Sequence, residues 1–171
     1  AFRSDLQTMG EGEYVIGYEI STPYIEKALD GESLIEVFTD SSGKLVLVEA
    51  DPLKIHGLDW AMITKINLEE AIAPTVEGQD QDFYADYIEQ YGYYDLFLIH
   101  PDGEVFYTVT READYQTNMI DGKYSSSNLG ELVREVKKTR QFGFADFEPY
   151  APSNGAPACF IAQPVMYHGK V

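Results

Sequence analysis

The sequence predicts an α+β fold. Two observations carry this: contiguous runs of β-forming residues separated by short Gly-containing turns, and two or three amphipathic helical stretches between them rather than in strict alternation. A strictly alternating parallel βαβ fold does not produce back-to-back strand runs. A third observation sets the scale. The chain has 171 residues, of which 44% are hydrophobic and 13% aromatic, enough to bury a core and to exclude disorder as its general state.

Element by element, residues 13–20 (EYVIGYEI) are rich in β-formers and predict a strand, preceded by a weakly patterned loop. Thr22 then caps a short helix, with Pro23 at its first position, Ile25, Ala28 and Leu29 as its apolar face, and Gly31 at its exit. Residues 34–39 and 44–50 flank Asp40-Ser41-Ser42-Gly43 and predict a hairpin, which Asp51-Pro52 interrupts. Residues 58–66 predict a third strand. Asn67, with Glu70 three residues on, has capping-box spacing and opens a helical stretch that Pro74 and Gly78 break or kink. The helix resumes near Asp80 with Phe83, Tyr84, Tyr87 and Ile88 on one face, and Gly92 stops it, so residues 67–91 form a long linking helix.

Residues 96–100 and 104–110, joined by Pro101-Asp102-Gly103, predict the clearest hairpin in the chain. A polar segment, 111–127, follows and ends in three serines suited to an N-cap. Leu129, Leu132, Val133 and Val136 are spaced for an amphipathic helix over 128–140, and Lys137, Lys138 and Arg140 complement its C-terminal dipole. Strands are predicted at 142–147 and 158–167, separated by a Pro- and Gly-rich loop over 148–157; Pro164 marks an edge or bulge. Helix, strand, turn, strand recurs in 22–66 and 128–171 as a weak internal repeat.

Charge narrows the function. Twelve basic and 29 acidic residues give a net charge of −17. That sign opposes phosphate neutralisation and adhesion to anionic lipid, so a nucleic-acid partner is not expected. The single cysteine, Cys159, excludes an intrachain disulfide and a multi-cysteine metal site. The sequence has no nucleophile elbow, zincin motif, P-loop, dinucleotide fingerprint or EF-hand loop. His56, His100 and His168 are far apart. No metal site and no cofactor is predicted, and no apolar run is long enough to span a bilayer. A start at Ala1 and a stop at Gly169-Lys170-Val171, which reads like the beginning of a strand, predict an excised piece of a longer protein.

Two polar loops, 111–118 (READYQTN) and the one carrying Asp146, Tyr150, Ser153 and Asn154, either line a small-molecule pocket over one sheet face or are ordinary solvated loops. The candidate pocket residues are Tyr107, Arg111, Asp114, Tyr115, Asn118, Asp146 and Tyr150. Arg111 suits bidentate pairing with an anionic group, or pairs with Glu112 or Asp114 at the surface. Asp146 suits an amine or hydroxyl, and the tyrosines supply aromatic walls with polar tips.

The runs YYDLFLIHPDGEVFYTVTREADYQTNMIDGKYSSSNLGELV and FGFADFEPYAPSNGAPACFIAQPV resemble the extracytoplasmic Cache (PAS-like) sensor domains of bacterial methyl-accepting chemotaxis proteins and related sensor kinases. FTDSSGKLVLVEADPLKIHGLDWAMITKINLEEAIAP is similar to the closing part of such a sensor lobe. The resemblance implies an antiparallel, roughly five-stranded sheet flanked by a long helix and shorter helices. On that scheme residues 1–66 are a helix-plus-strands segment, 67–91 the linking helix, and 92–171 the hairpin, helix and strands of a lobe. It implies a periplasmic small-molecule sensor with no enzymatic activity, homodimeric in the full receptor and tied to the inner membrane by segments outside this chain. The aromatic and arginine pattern of amino-acid-binding members is not present on 128–140, where Arg134 is the only mid-helix arginine. A small carboxylate-pair hydrolase is the alternative of another class, and would bring Asp114 and Asp146 into one cleft. A ligand-free structural or dimerisation module is the third, and would leave no cavity.

Overall fold

The computed structural model describes residues 19–75 and 81–166. The chain divides into two compact units, one holding the described residues up to Phe38 together with Val46–Ile66, the other Thr39–Leu45 and the described residues from Asn67 onward. It is α+β, as the strand and helix patterns predict, but among the described residues its strands form three small sheets, of three, two and two strands, rather than one sheet of five.

In the first unit, helix α1 (Pro23–Leu29) starts after Thr22 and leads to Gly31 at a φ of 97°, a left-handed conformation that costs glycine little. Strands β1 (Leu34–Thr39), β2 (Leu45–Ile55) and β3 (Leu58–Asn67) form a meander in the order β1-β2-β3. In the turn between β1 and β2, which belongs to the second unit, the Asp40 carboxylate accepts from the Ser42 and Lys44 amides at 2.8 and 3.0 Å. Asp51-Pro52 does not interrupt β2. The Asp40 amide bonds the Lys44 carbonyl, so counting in register β1 runs out opposite residue 50, and Pro52 lies beyond its reach. Tyr24 and Ala28 of α1 pack on Val46, Val48 and Ala50 to make this unit's core. The strand expected at 13–20 lies outside the described residues, apart from Glu19 and Ile20, which have no regular structure.

In the second unit the helix expected across 67–91 is realised as two pieces, α2 (Leu68–Ile72) and α3 (Phe83–Tyr91). Asn67 precedes α2 without a side-chain cap bond. Asp82 caps α3, its carboxylate accepting from the Tyr84 and Ala85 amides at 2.9 and 3.0 Å, and Gly92 closes it in the left-handed region. Strands β4 (Phe97–Ile99) and β5 (Val105–Thr108) form the expected antiparallel hairpin. Helix α4 (Asn128–Thr139) is capped by the Ser127 hydroxyl, which accepts from the Gly130 amide at 3.1 Å.

Strand β6 (Gly143–Tyr150) runs three residues past its expected end, and β7 (Ala156–Ala162) begins two residues early. The two ends of the expected loop over 148–157 are therefore paired strand, leaving a 3₁₀ turn at Ala151–Ser153 between them. Pro149 and Pro157 face each other in the register. Helix α4 packs on both strands. Buried Asn128 donates to the carbonyls of Asp146 and Ala158 at 3.0 and 2.8 Å, bridging the strands where the register shifts. The core joins Val105, Met119, Tyr124, Leu129 and Tyr150, with Phe97 and Phe160 against them.

Gly130 costs α4 some helix propensity, about 1 kcal/mol against alanine. Space explains it: a β-carbon there would sit 2.5 Å from the Ser125 carbonyl oxygen and 2.9 Å from that of Met119. Both are backbone atoms, and neither is free to step aside. Gly130→Ala is therefore expected to lower unfolding free energy by about 1–3 kcal/mol despite the better propensity, read by urea denaturation.

Candidate functional site

Arg111 and Asp114, three residues apart, are sent to different surroundings. The short segment after β5 turns sharply, with Arg111 and Gln116 in the left-handed region at φ 50° and 59°. For residues other than glycine that conformation is held by its surroundings.

On one side lies an open cleft of about 340 Å³, bounded by α2, the start of α3 and β5. Its walls include Glu69, Thr75, Gln81, Asp82, Tyr107, Thr108 and Arg111. The volume is in the range of small-molecule sites. Tyr107 is buried, and its hydroxyl donates to both oxygens of Asp82 at 2.8 Å. Burial, then the Asp82 carboxylate, pushes its pKa up, so the phenol stays a neutral donor. Arg111 does not pair with Glu112 or Asp114. Its guanidinium pairs with Glu69, from 42 residues upstream, and lies 5.3 Å from the Tyr115 ring centre. The Tyr115 hydroxyl donates to the other oxygen of Glu69 at 2.5 Å, and burial followed by that bond raises the Tyr115 pKa.

On the other side Asp114 is fully buried, at 0% exposure. Its Oδ2 accepts from the Tyr150 hydroxyl at 2.7 Å, while Oδ1 has no hydrogen-bond partner among the described residues. Glu112 beside it accepts from the Tyr94 and Ser153 hydroxyls at 2.7 and 2.5 Å. Asp95 accepts from the Val109 and Thr110 amides at 2.9 and 3.2 Å and from the Thr108 and Thr110 hydroxyls at 2.5 and 2.6 Å. Burial is the main force raising the Asp114 pKa; the Tyr150 bond opposes it, and Asp95 and Glu112 add to it. Burial and the Asp114 carboxylate together drive the Tyr150 phenol far above its ordinary value.

The seven candidate residues therefore do not form one pocket. Tyr107 and Arg111 line the cleft, and Tyr115 braces it through Glu69. Asp114 and Tyr150 form a buried pair instead of a pocket wall. Asn118 is a turn residue: its amide donates to the Asp102 carbonyl at 3.1 Å, and its Oδ1 accepts from the Ile120 amide at 2.8 Å. Asp146 is exposed, and its carboxylate accepts from the Phe147 amide at 2.8 Å. Asp114 and Asp146 thus face no common cleft. Glu69 and Asp82 are the two acids of the cleft, and neither was among the candidate pocket residues. Asp82 had a local signal, an acid directly before an aromatic helical run, whereas Glu69 had none.

Among the described residues no group of three or more His, Cys, Asp or Glu side chains is placed to hold a metal ion. None of their helices is long and apolar enough to cross a membrane. No protein-family model, curated protein or solved structure matches this chain.

The Asp114–Tyr150 pair makes a pH prediction. The folded-state pKa of Asp114 lies above its unfolded value, so the favourable neutral form counts fully below the unfolded value, near 3.8, and its advantage is lost as pH rises through the folded value. Asp114→Asn keeps an acceptor for Tyr150 and removes the ionisation. Thermal midpoints between pH 7 and 4 are expected to rise less on acidification in Asp114→Asn than in the unsubstituted chain. Tyr150→Phe strips the buried carboxylate of its donor and is expected to cost about 2–3 kcal/mol at pH 7 in urea unfolding.

Proposed function

We propose that this chain is the small-molecule-sensing part of a transmembrane chemoreceptor, a Cache-type domain on the extracytoplasmic side that passes ligand binding to a cytoplasmic output. The observation that carries the reading is the polar cleft, of about 340 Å³ and walled by Arg111, Glu69, Asp82, Tyr107 and Thr108. The likeness of residues 93–109 and 144–165 to such sensors supports it. On this reading the domain senses rather than catalyses, its receptor is a homodimer, and the membrane is reached through segments outside this chain.

The cleft favours a small polar ligand carrying a carboxylate or another planar anion. Arg111 is 58% exposed and bonded to Glu69, so an incoming anion meets a guanidinium already aimed at a carboxylate. Tyr107 and Thr108 supply polar groups beside it. With two carboxylates and one guanidinium among these groups, a ligand with a donor as well as an anionic end fits better than a bare polyanion. Binding changes output only as far as the ligand prefers one of two arrangements. The α2–β5 junction, where the Arg111–Glu69 pair ties two elements, is the element it would bias.

The test is a thermal-shift panel of organic acids, amino acids, amines and sugars. A ligand at about 100 times its Kd stabilises the fold by about 2.7 kcal/mol, which is a readily measured rise in midpoint. The expected result is a dose-dependent shift from an acid-bearing compound that Arg111→Ala abolishes and Asp146→Ala preserves. Retention of the shift in both Arg111→Ala and Tyr107→Phe would remove the cleft from the proposal, and silence across the panel would remove its ligand class.

A further inference from the structure

We propose that Glu69 is a tethered occupant of the cleft's anion seat, a carboxylate of the chain itself that a ligand has to displace and that sets the affinity of the site. This rests on the reading of the cleft as an anion site and adds how that site is regulated. Two donors from one short segment hold a single carboxylate there. The Arg111 guanidinium donates to Oε1 of Glu69, and the Tyr115 hydroxyl donates to Oε2. One donor on each oxygen is also how a free carboxylate would be held. The Arg111 side chain is 58% exposed and that of Glu69 19%, so the donor is reachable from water while its partner is mostly covered.

The seat is built without Glu69. Arg111 and Tyr115 both lie in the turn after β5, which the left-handed backbone at Arg111 and Gln116 shapes. The Arg111 amide donates to the Thr108 hydroxyl at 3.3 Å. The Arg111 guanidinium lies 5.3 Å from the Tyr115 ring centre, a cation–π contact inside the same segment. Glu69 arrives from α2, which has five residues, no side-chain cap bond at Asn67 and one buried residue, Leu68. A helix that short has no stability of its own. Displacing Glu69 therefore breaks a polar tie of a short element and leaves both donors in place. An anion binds only those molecules whose seat is open, so its apparent affinity is reduced by that fraction. With the Arg111–Glu69 pair closed in about nine molecules of ten, Glu69 weakens the binding of an incoming carboxylate about tenfold.

Acetate is the probe, followed through the Arg111 side-chain Nε–Hε resonance of the 171-residue chain at constant ionic strength. Glu69→Gln is expected to bind acetate about tenfold more tightly than the unsubstituted chain, with far-UV circular dichroism unchanged. Adding Tyr115→Phe to Glu69→Gln removes the second donor and is expected to weaken acetate again, about fivefold. Asp82→Asn is the control for charge alone: Asp82 bonds Tyr107 and the α3 amides rather than Arg111, and asparagine also caps helices. It is expected to change acetate affinity by less than about threefold. Equal acetate affinity in Glu69→Gln and the unsubstituted chain overturns the proposal and leaves the anion site standing. A gain in Asp82→Asn as large as that in Glu69→Gln overturns it too, because the effect is then one of charge and not of occupancy. An Arg111 resonance unmoved in both Glu69→Gln and the unsubstituted chain, up to submolar acetate, overturns this proposal together with the anion reading of the cleft.

Discussion

A carboxylate held out of water, Asp114, and the tyrosine that bonds it, Tyr150, tie together the segment after β5 and the end of β6. Much of the second unit depends on that contact. Tyr150 is also a core residue, with its ring 4.9 Å from that of Phe160, so one side chain anchors a polar loop and closes an apolar cluster. The end of β6 cannot slide along β7 without breaking both. A buried ionisable group is costly when unpaired, and so specifies its partner sharply. Glu112, held by Tyr94 and Ser153, and Asp95, held by the strand-end threonines, repeat this arrangement at lower burial.

These acids stitch the loops down, and so set where the cleft can be. With Asp114 committed inward, the backbone turns at Arg111 and presents the guanidinium outward, toward Glu69. Tyr107, on β5, reaches the cap of α3 through Asp82. The cleft walls are thus the outer ends of contacts that also hold α2, α3 and β5 in place, and a ligand that displaced Glu69 from Arg111 would act directly on the packing of α2.

The departures from the sequence reading have local causes. Pro52 reads as a strand breaker, yet it stands within β2, beyond the reach of β1. The segment 148–157 reads as a loop because prolines and glycine punctuate it, yet Pro149 and Pro157 pair opposite each other and only Pro152 stays in the turn. The helix expected over 67–91 is two helices among the described residues, and the break begins beside Pro74, the residue whose ring is least compatible with a continuing helix. Asn118 and Asp146 read as ligand groups because their side chains suit that chemistry. The same chemistry makes them good partners for nearby backbone amides, and local backbone groups are always available at high effective concentration.

The sequence by itself determined what depends on spacing within a few residues: the hairpins at β1–β2 and β4–β5, the apolar stripe and serine cap of α4, the glycine stop of α3, and the α+β class that follows from them. These are local, because turn chemistry and helical or strand periodicity are properties of short stretches of chain. Tertiary structure alone decided which of the polar residues meet. Arg111 had acids one and three positions away and chose one 42 positions away; Asp114 met Tyr150 across 36 residues; and Tyr107 met Asp82 across 25. Such pairings follow from which elements pack together and how deeply each carboxylate is buried. Neither is encoded in spacing along the chain, and with 29 acids to choose from the composition is silent about which ones matter.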